Sequence, residues 1–254
     1  MKKRFLPRFI FLVALLFLAN FSNGQSDFKA DQKRYPRVRT AYSENYDQIK
    51  RDLELVGIEI DQLEVYLRIF KYEKELELWV RDQSSGVFQK LKTYTVCATS
   101  GALGPKREQG DRQIPEGYYH INRFNPSSNY YLSMGINYPN GSDRTLGVQH
   151  NLGGAIFIHG DCVTIGCIPL TDEWIKELYV YCVEAKNNGQ QTIPVTLFPA
   201  RLTDAKWRIL KHEFKSSNEY INLWSDLKKG FDLFNASKTL PTIRFLESGR
   251  YAVE

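Results

Sequence analysis

The stretch IFIHGDCVTIGCIPLTDEW, Ile156 to Trp174, changes character twice. It opens on an apolar run fit for a strand, passes through a His-Gly pair and a turn holding two cysteines, and closes on helix signals. Thr171 is placed as an N-cap, with Asp172 and Glu173 adding negative charge to the first turn. Trp174, Leu178, Tyr181 and Ala185 then recur at helical spacing until Asn187-Asn188-Gly189 ends the run. Strand, cysteine turn and helix therefore follow one another directly, and the rest of the chain supplies their frame.

Upstream the period is two. Val65, Leu67 and Ile69 alternate with polar or aromatic residues, and so do Leu76, Leu78 and Val80 across the charged turn Lys71–Glu75. A third run, 87–98, places Tyr94, Val96 and Ala98 on one face, giving a β-meander; Cys97 falls on the other face and reads as a packed small hydrophobe. The loop 101–116 is rich in Gly, Pro and charge and leads into a strand at Tyr118–Ile121. Segments 130–139 and 145–150 read as short strands, with Asn140-Gly141 as a turn between them. Segment 153–160, the most apolar of all, is expected at the centre of the sheet. Thr192–Ala200 adds a strand after the helix, and 242–247 is expected to rejoin the sheet. The resulting fold class is mainly β, α+β, a sandwich or barrel core with one helix after the cysteine turn.

The flanks differ. Residues 1–24 carry Lys2, Lys3, Arg4 and Arg8 ahead of the apolar run 9–21, the order of a cleaved export signal with an apolar core short for a membrane span; a retained N-terminal anchor is the other reading. Residues 25–40 are polar without period and read as a linker, and 41–60 as a helix with Tyr46, Ile49, Leu53 and Val56 on one side. The expected units are thus a signal at 1–24, linker and helix at 25–60, a catalytic core at 61–200 and a helical extension at 201–254. Removing the four signal cations from the formal charge of +5 leaves +1, so charge gives no case for a nucleic-acid partner. No later stretch is apolar enough for a membrane span. An exported, periplasmic protein is expected.

Cysteines stand at 97, 162, 167 and 182. Cys182 fits the buried side of the helix as a core thiol. For Cys162 and Cys167 three readings are open. His159, Asp161, Cys162 and Cys167 could ligate zinc, though no second ligand pair appears. Cys162 and Cys167 could form a disulfide in an oxidising compartment. Alternatively Cys167 is a nucleophile, its thiol lowered by His159 and by the helix N-terminus, with Gly166 letting backbone N–H groups approach a substrate carbonyl.

His159-Gly160, Thr164, Ile165 and Gly166-Cys167 together resemble the signature of the YkuD-type L,D-transpeptidases. Segments 70–80, 100–121 and 136–144 resemble its YafK-like branch, and the similarity runs from about Val65 to the C-terminus. The resemblance implies a cofactor-free and metal-free enzyme acting on peptidoglycan stem peptides. Cys167 would be the nucleophile, His159 the proton donor and acceptor, Gly160 the carbonyl that orients His159, and Gly166 an oxyanion donor. Thr164, Lys106, Arg107 and His150 are candidates for substrate contact. The acceptor would be an amine, including that of a wall-linked lipoprotein; with water instead, the same chemistry trims stems or detaches a wall-linked protein. A non-catalytic peptidoglycan-binding protein is the reading from another class. Two departures bear on substrate contacts: Ile165 replaces a second His and Pro169 an Arg found in many members.

Overall fold

The computed structural model describes residues 27–254, so the expected signal at 1–24 lies outside the described residues. In chain order the elements are α1 (Phe28–Lys33), α2 (Pro36–Glu54), β1 (Leu63–Phe70), β2 (Glu75–Asp82), β3 (Gln89–Thr95), β4 (Gly117–Asn125), β5 (Ser133–Ile136), α3 (Gly141–Leu146), β6 (Phe157–His159), β7 (Ile168–Pro169), α4 (Asp172–Asn187), β8 (Ile193–Phe198), α5 (Asp204–Glu213), α6 (Asn218–Ser237), β9 (Ile243–Phe245) and β10 (Tyr251–Val253). Eight strands form one mixed sheet in the order β3-β2-β1-β8-β4-β5-β6-β7. This is the α+β, strand-dominated core expected, a sheet curled into a half-barrel.

Both faces of that sheet are buried, and the two-residue period of β1 shows how. Val65, Leu67 and Ile69 join the core shared with α2 and α4, where Ile49, Leu53, Leu178 and Tyr181 are fully or almost fully buried. Phe70 faces the other way, into a second core built by Phe198, Trp224, Leu227 and Phe231. Arg68, on that same side, is 2% exposed, pairs with Glu77 at 3.6 Å and lies against the rings of Phe70, Phe231 and Phe234. The extension after residue 200 thus closes the sheet's second face. Glu116 ties it down: its carboxylate accepts from Trp224 Nε1 at 2.6 Å and pairs with Lys71 at 2.9 Å.

Several local expectations are corrected. The supposed linker at 25–40 is helical: Asp27 caps α1, and Pro36 sits in the first turn of α2, where its missing N–H costs nothing. Residues 145–150 are no strand. Asn140 and Asp143 form a capping box, and the Asn-Gly pair that reads as a hairpin turn begins α3 instead. Segment 153–160 supplies β6, which lies next to the sheet edge, while β8 takes an interior position between β1 and β4. Ile156 and Ile158 join the main core although the strand is not in the middle of the sheet. Residues 243–245 do not rejoin the large sheet; they pair with β10, Phe245 opposite Tyr251.

The largest correction concerns Cys97. It is no isolated core thiol but is disulfide-bonded to Cys162, with Cα atoms 5.5 Å apart. The curl explains the pairing. β3 and β7 are opposite edges of the sheet, yet the Cys97 N–H donates to the Pro169 carbonyl at 3.1 Å. The edges meet, and the disulfide clamps the seam. This pairing removes Cys162 from both the zinc set and a bond to Cys167. The bridged cysteines are 65 residues apart, and a closed loop of that size contributes about 4 kcal/mol in chain-entropy terms. The double variant Cys97→Ser/Cys162→Ser is expected to lose most of that in urea unfolding; an unchanged midpoint and slope would contradict the clamp.

Candidate active site

The loop 160–167 joins two parallel neighbours, with Ile158 opposite Ile168 and His159 opposite Pro169. Its entrance is tight. A Cβ at Gly160 would stand 2.5 Å from Asp172 Oδ1 and 3.0 Å from the Tyr130 carbonyl, so a glycine is required there for close approach. Asp172, in the first turn of α4, accepts the Asp161 N–H at 3.0 Å and fastens the loop to the helix that follows it. The exit is set by Thr164, whose Oγ1 accepts from Gly166 N at 3.1 Å and Cys167 N at 2.8 Å while donating to the Cys167 carbonyl at 2.8 Å. Gly166, at φ +138°, packs its backbone against the Gln113 carbonyl.

His159 is 2% exposed at the end of β6, with the Tyr130 ring 4.7 Å from its own between centroids. Its Nδ1 lies 2.5 Å from the Gly160 carbonyl, an acceptor only, so Nδ1 carries the proton and Nε2 is left as the basic nitrogen. Burial holds the imidazole below its usual range, opposed by the Gly160 bond and by the charge of Asp161.

Cys167 carries a free, half-buried thiol, 3.7 Å from the Ala155 carbonyl. The expectation of a thiol lowered at rest is corrected: burial pushes it up, against a backbone bond from Phe157 and the positive charge of Lys106. A thiol pushed up and an imidazole held down leave both groups uncharged near pH 7 rather than paired as ions. Lys106→Met, by removing a cation that favours the thiolate, is expected to move the pH midpoint of Cys167 alkylation upward, with Lys106→Arg restoring it. An unmoved midpoint in the Met variant would rule out that electrostatic role. Alkylation reports Cys167 cleanly, because Cys182 is fully buried.

His159 and Cys167 line one cleft of about 990 Å³, together with Lys106, Arg112, Tyr130 and Ile165. Of the sequence candidates, Lys106 is present at 5% exposure, its ammonium held by Asp111 at 2.6 Å and the Glu108 carbonyl at 2.7 Å. Arg107 is not brought there; it turns away to Asp143 at 2.9 Å and Glu219 at 2.6 Å. His150 lies exposed beyond α3 and is absent from the cleft lining. Thr164 acts on the turn itself through three backbone contacts. Arg112 and Tyr130 line the cleft without a signal in the sequence: the charged composition of 106–112 does not rank its cations, and Tyr130 reaches His159 from a distant loop.

A strand-end histidine and a turn cysteine on one cleft of a curled mixed sheet define a class of thiol–imidazole protein. The chain belongs to the YkuD family, the L,D-transpeptidase catalytic domain, which matches residues 64–196. It is 38% identical over 191 residues to the Escherichia coli K12 protein named "Putative L,D-transpeptidase YafK", covering 74% of this chain and 73% of that one. Among solved structures it is similar to the helical cell shape determining protein Pgp2 from Campylobacter jejuni, with a TM-score of 0.43, 19% identity and 74% of each chain covered. Another is Bdellovibrio bacteriovorus Bd1075, with a TM-score of 0.39, 20% identity, and 67% of this chain and 62% of that one covered.

Proposed function

We propose that the protein is a periplasmic cysteine peptidyl transferase acting on peptidoglycan tetrapeptide stems, with residues 61–200 as its catalytic unit and 201–254 as an extension that closes the sheet. One observation carries this: His159 and Cys167 share a cleft, and the Gly160 carbonyl fixes the imidazole with Nε2 as the base. Nε2 takes the thiol proton as Sγ attacks the carbonyl of the L-centre of the stem's diamino acid. The S–C bond forms, the C–N bond to the terminal D-alanine breaks, and the leaving amine receives the proton from His159. An acceptor amine then attacks the thioester and gives its proton to His159; the new C–N bond forms, the C–S bond breaks, and His159 passes that proton to Sγ, restoring the thiol.

The amides of Gly166 and Cys167 are the proposed oxyanion donors. They now donate to the Thr164 hydroxyl. A charged oxygen is a stronger acceptor than a neutral hydroxyl, so Thr164 holds both donors in place until the oxyanion competes for them. The acceptor would be a second stem or a wall-linked protein.

Incubation with disaccharide-tetrapeptide, read by mass spectrometry, tests this reading. Cys167-dependent dimers with loss of D-alanine are expected. Shortened stems without dimers would make water the acceptor, and products identical with and without Cys167 would sink the enzyme assignment.

A further inference from the structure

The charges lining the cleft are unbalanced. Its charged side chains are Lys106 and Arg112, and no carboxylate is among the lining residues. The remaining titratable groups there are Tyr130, His159 and Cys167. Lys106 is already matched, by the Asp111 carboxylate. Arg107, the neighbouring cation, is engaged outside the cleft by Asp143 and Glu219. That leaves Arg112, for which no described residue provides a hydrogen bond or ion pair.

The backbone at Arg112 is a second, independent observation. Its φ of +57° is left-handed, a conformation that glycine or asparagine would adopt at lower cost and that typically costs a side-chain-bearing residue about 1 kcal/mol or more. Asp111 holds it there: its carboxylate accepts from Arg107 N at 2.9 Å, Glu108 N at 3.1 Å and Gln113 N at 3.0 Å, as well as from Lys106. The loop is closed around one acidic side chain, and the residue it presents beside the cleft is the unmatched cation. A guanidinium's planar fork matches a carboxylate bidentately, and carboxylates are the anions an unmodified peptide carries.

We infer that Arg112 is the residue by which the cleft recognises a carboxylate on its acyl donor, making this a site for anionic rather than neutral peptides. The identity of the donor rests on the peptidoglycan reading; the charge requirement does not. In a stem tetrapeptide the candidates are the carboxylate of the terminal residue, the free carboxylate of the γ-linked glutamate and, where the diamino acid is diaminopimelate, that on its side arm.

The test has two arms on the full mature protein. In the first, Cys167 is alkylated by iodoacetate and by iodoacetamide, which differ in charge but attack the same sulfur. Arg112→Gln is expected to lower the iodoacetate-to-iodoacetamide rate ratio several-fold, and Arg112→Lys to keep most of it. An unchanged ratio in Arg112→Gln overturns the inference. In the second, donors carrying each of these carboxylates in turn as an amide are compared. Arg112→Gln is expected to raise KM for the free acid roughly tenfold or more, with little change in kcat. Amidation of the recognised carboxylate should raise the wild-type KM alike and abolish the effect of the variant. Equal losses on all donors would overturn the inference while leaving the peptidoglycan reading intact. A lowered ratio with no stem turned over by wild type would support it and refute that reading instead.

Discussion

Cys167→Ala protein is expected to release no D-alanine from tetrapeptide stems above background, a loss of about ten-thousandfold or more, since removal of a covalent nucleophile leaves only binding and oxyanion contributions. The comparison is unusually clean in this fold. The contacts that shape the cysteine turn run from Thr164 to the backbone of Gly166 and Cys167, so deleting Sγ leaves them in place. The Cys97–Cys162 clamp is untouched as well. Near-ultraviolet circular dichroism and urea unfolding should therefore match wild type within error while turnover disappears. Cys167→Ser separates shape from chemistry: it keeps a hydroxyl in the same turn, yet should remain at least about a hundredfold slow because an alkoxide is far harder to generate than a thiolate. Full turnover by the Ala variant would remove the thioester mechanism.

His159→Gln is the second large effect, about a hundred- to ten-thousandfold in kcat/KM. Its signature is in the pH profile. Burial holds the imidazole below its usual range, so the wild-type acid limb should fall below that range, with the base already neutral and competent near pH 7. In the variant that limb should vanish. Activity should instead climb only as pH rises through the thiol's own titration, which burial displaces upward, because thiolate then forms without a base. A variant that keeps the wild-type acid limb would place the base elsewhere.

How legible was this site in the chain? Local patterns carried most of it. The Thr171 cap, the helical spacing from Trp174 to Ala185 and the alternation of Val65, Leu67 and Ile69 all correspond to observed elements. Illegible were the features that depend on closure of the sheet. Cys97 and Cys162 lie on segments that meet only because the edges beyond β3 and β7 curl together, and no local period encodes that meeting. The same holds for β6, whose apolar residues mark membership of the core but not a position along the sheet. Polar stretches misled for another reason. Residues 25–40 lack a clean apolar face, yet Val38 is fully buried in the main core and the side chain of Gln32 accepts from the Tyr179 hydroxyl. Charge misled at Arg107, whose partner Asp143 sits in a capping box read as a hairpin. Finally, the electrostatic state of the cysteine could not follow from its neighbours alone, since burial outweighs both an adjacent cation and a backbone donor.

Everything in this account turns on one sulfur making a covalent bond to the stem peptide and giving it up again. Rapid acid quench of the wild-type protein with tetrapeptide stems, followed by intact and peptide-level mass measurement, addresses that bond directly. An adduct equal to the stem less D-alanine is expected on the peptide containing Cys167, discharged by hydroxylamine and undetectable when His159 is glutamine. D-alanine release at full rate with Cys167 unmodified throughout, or with the acyl group on another residue, would contradict it.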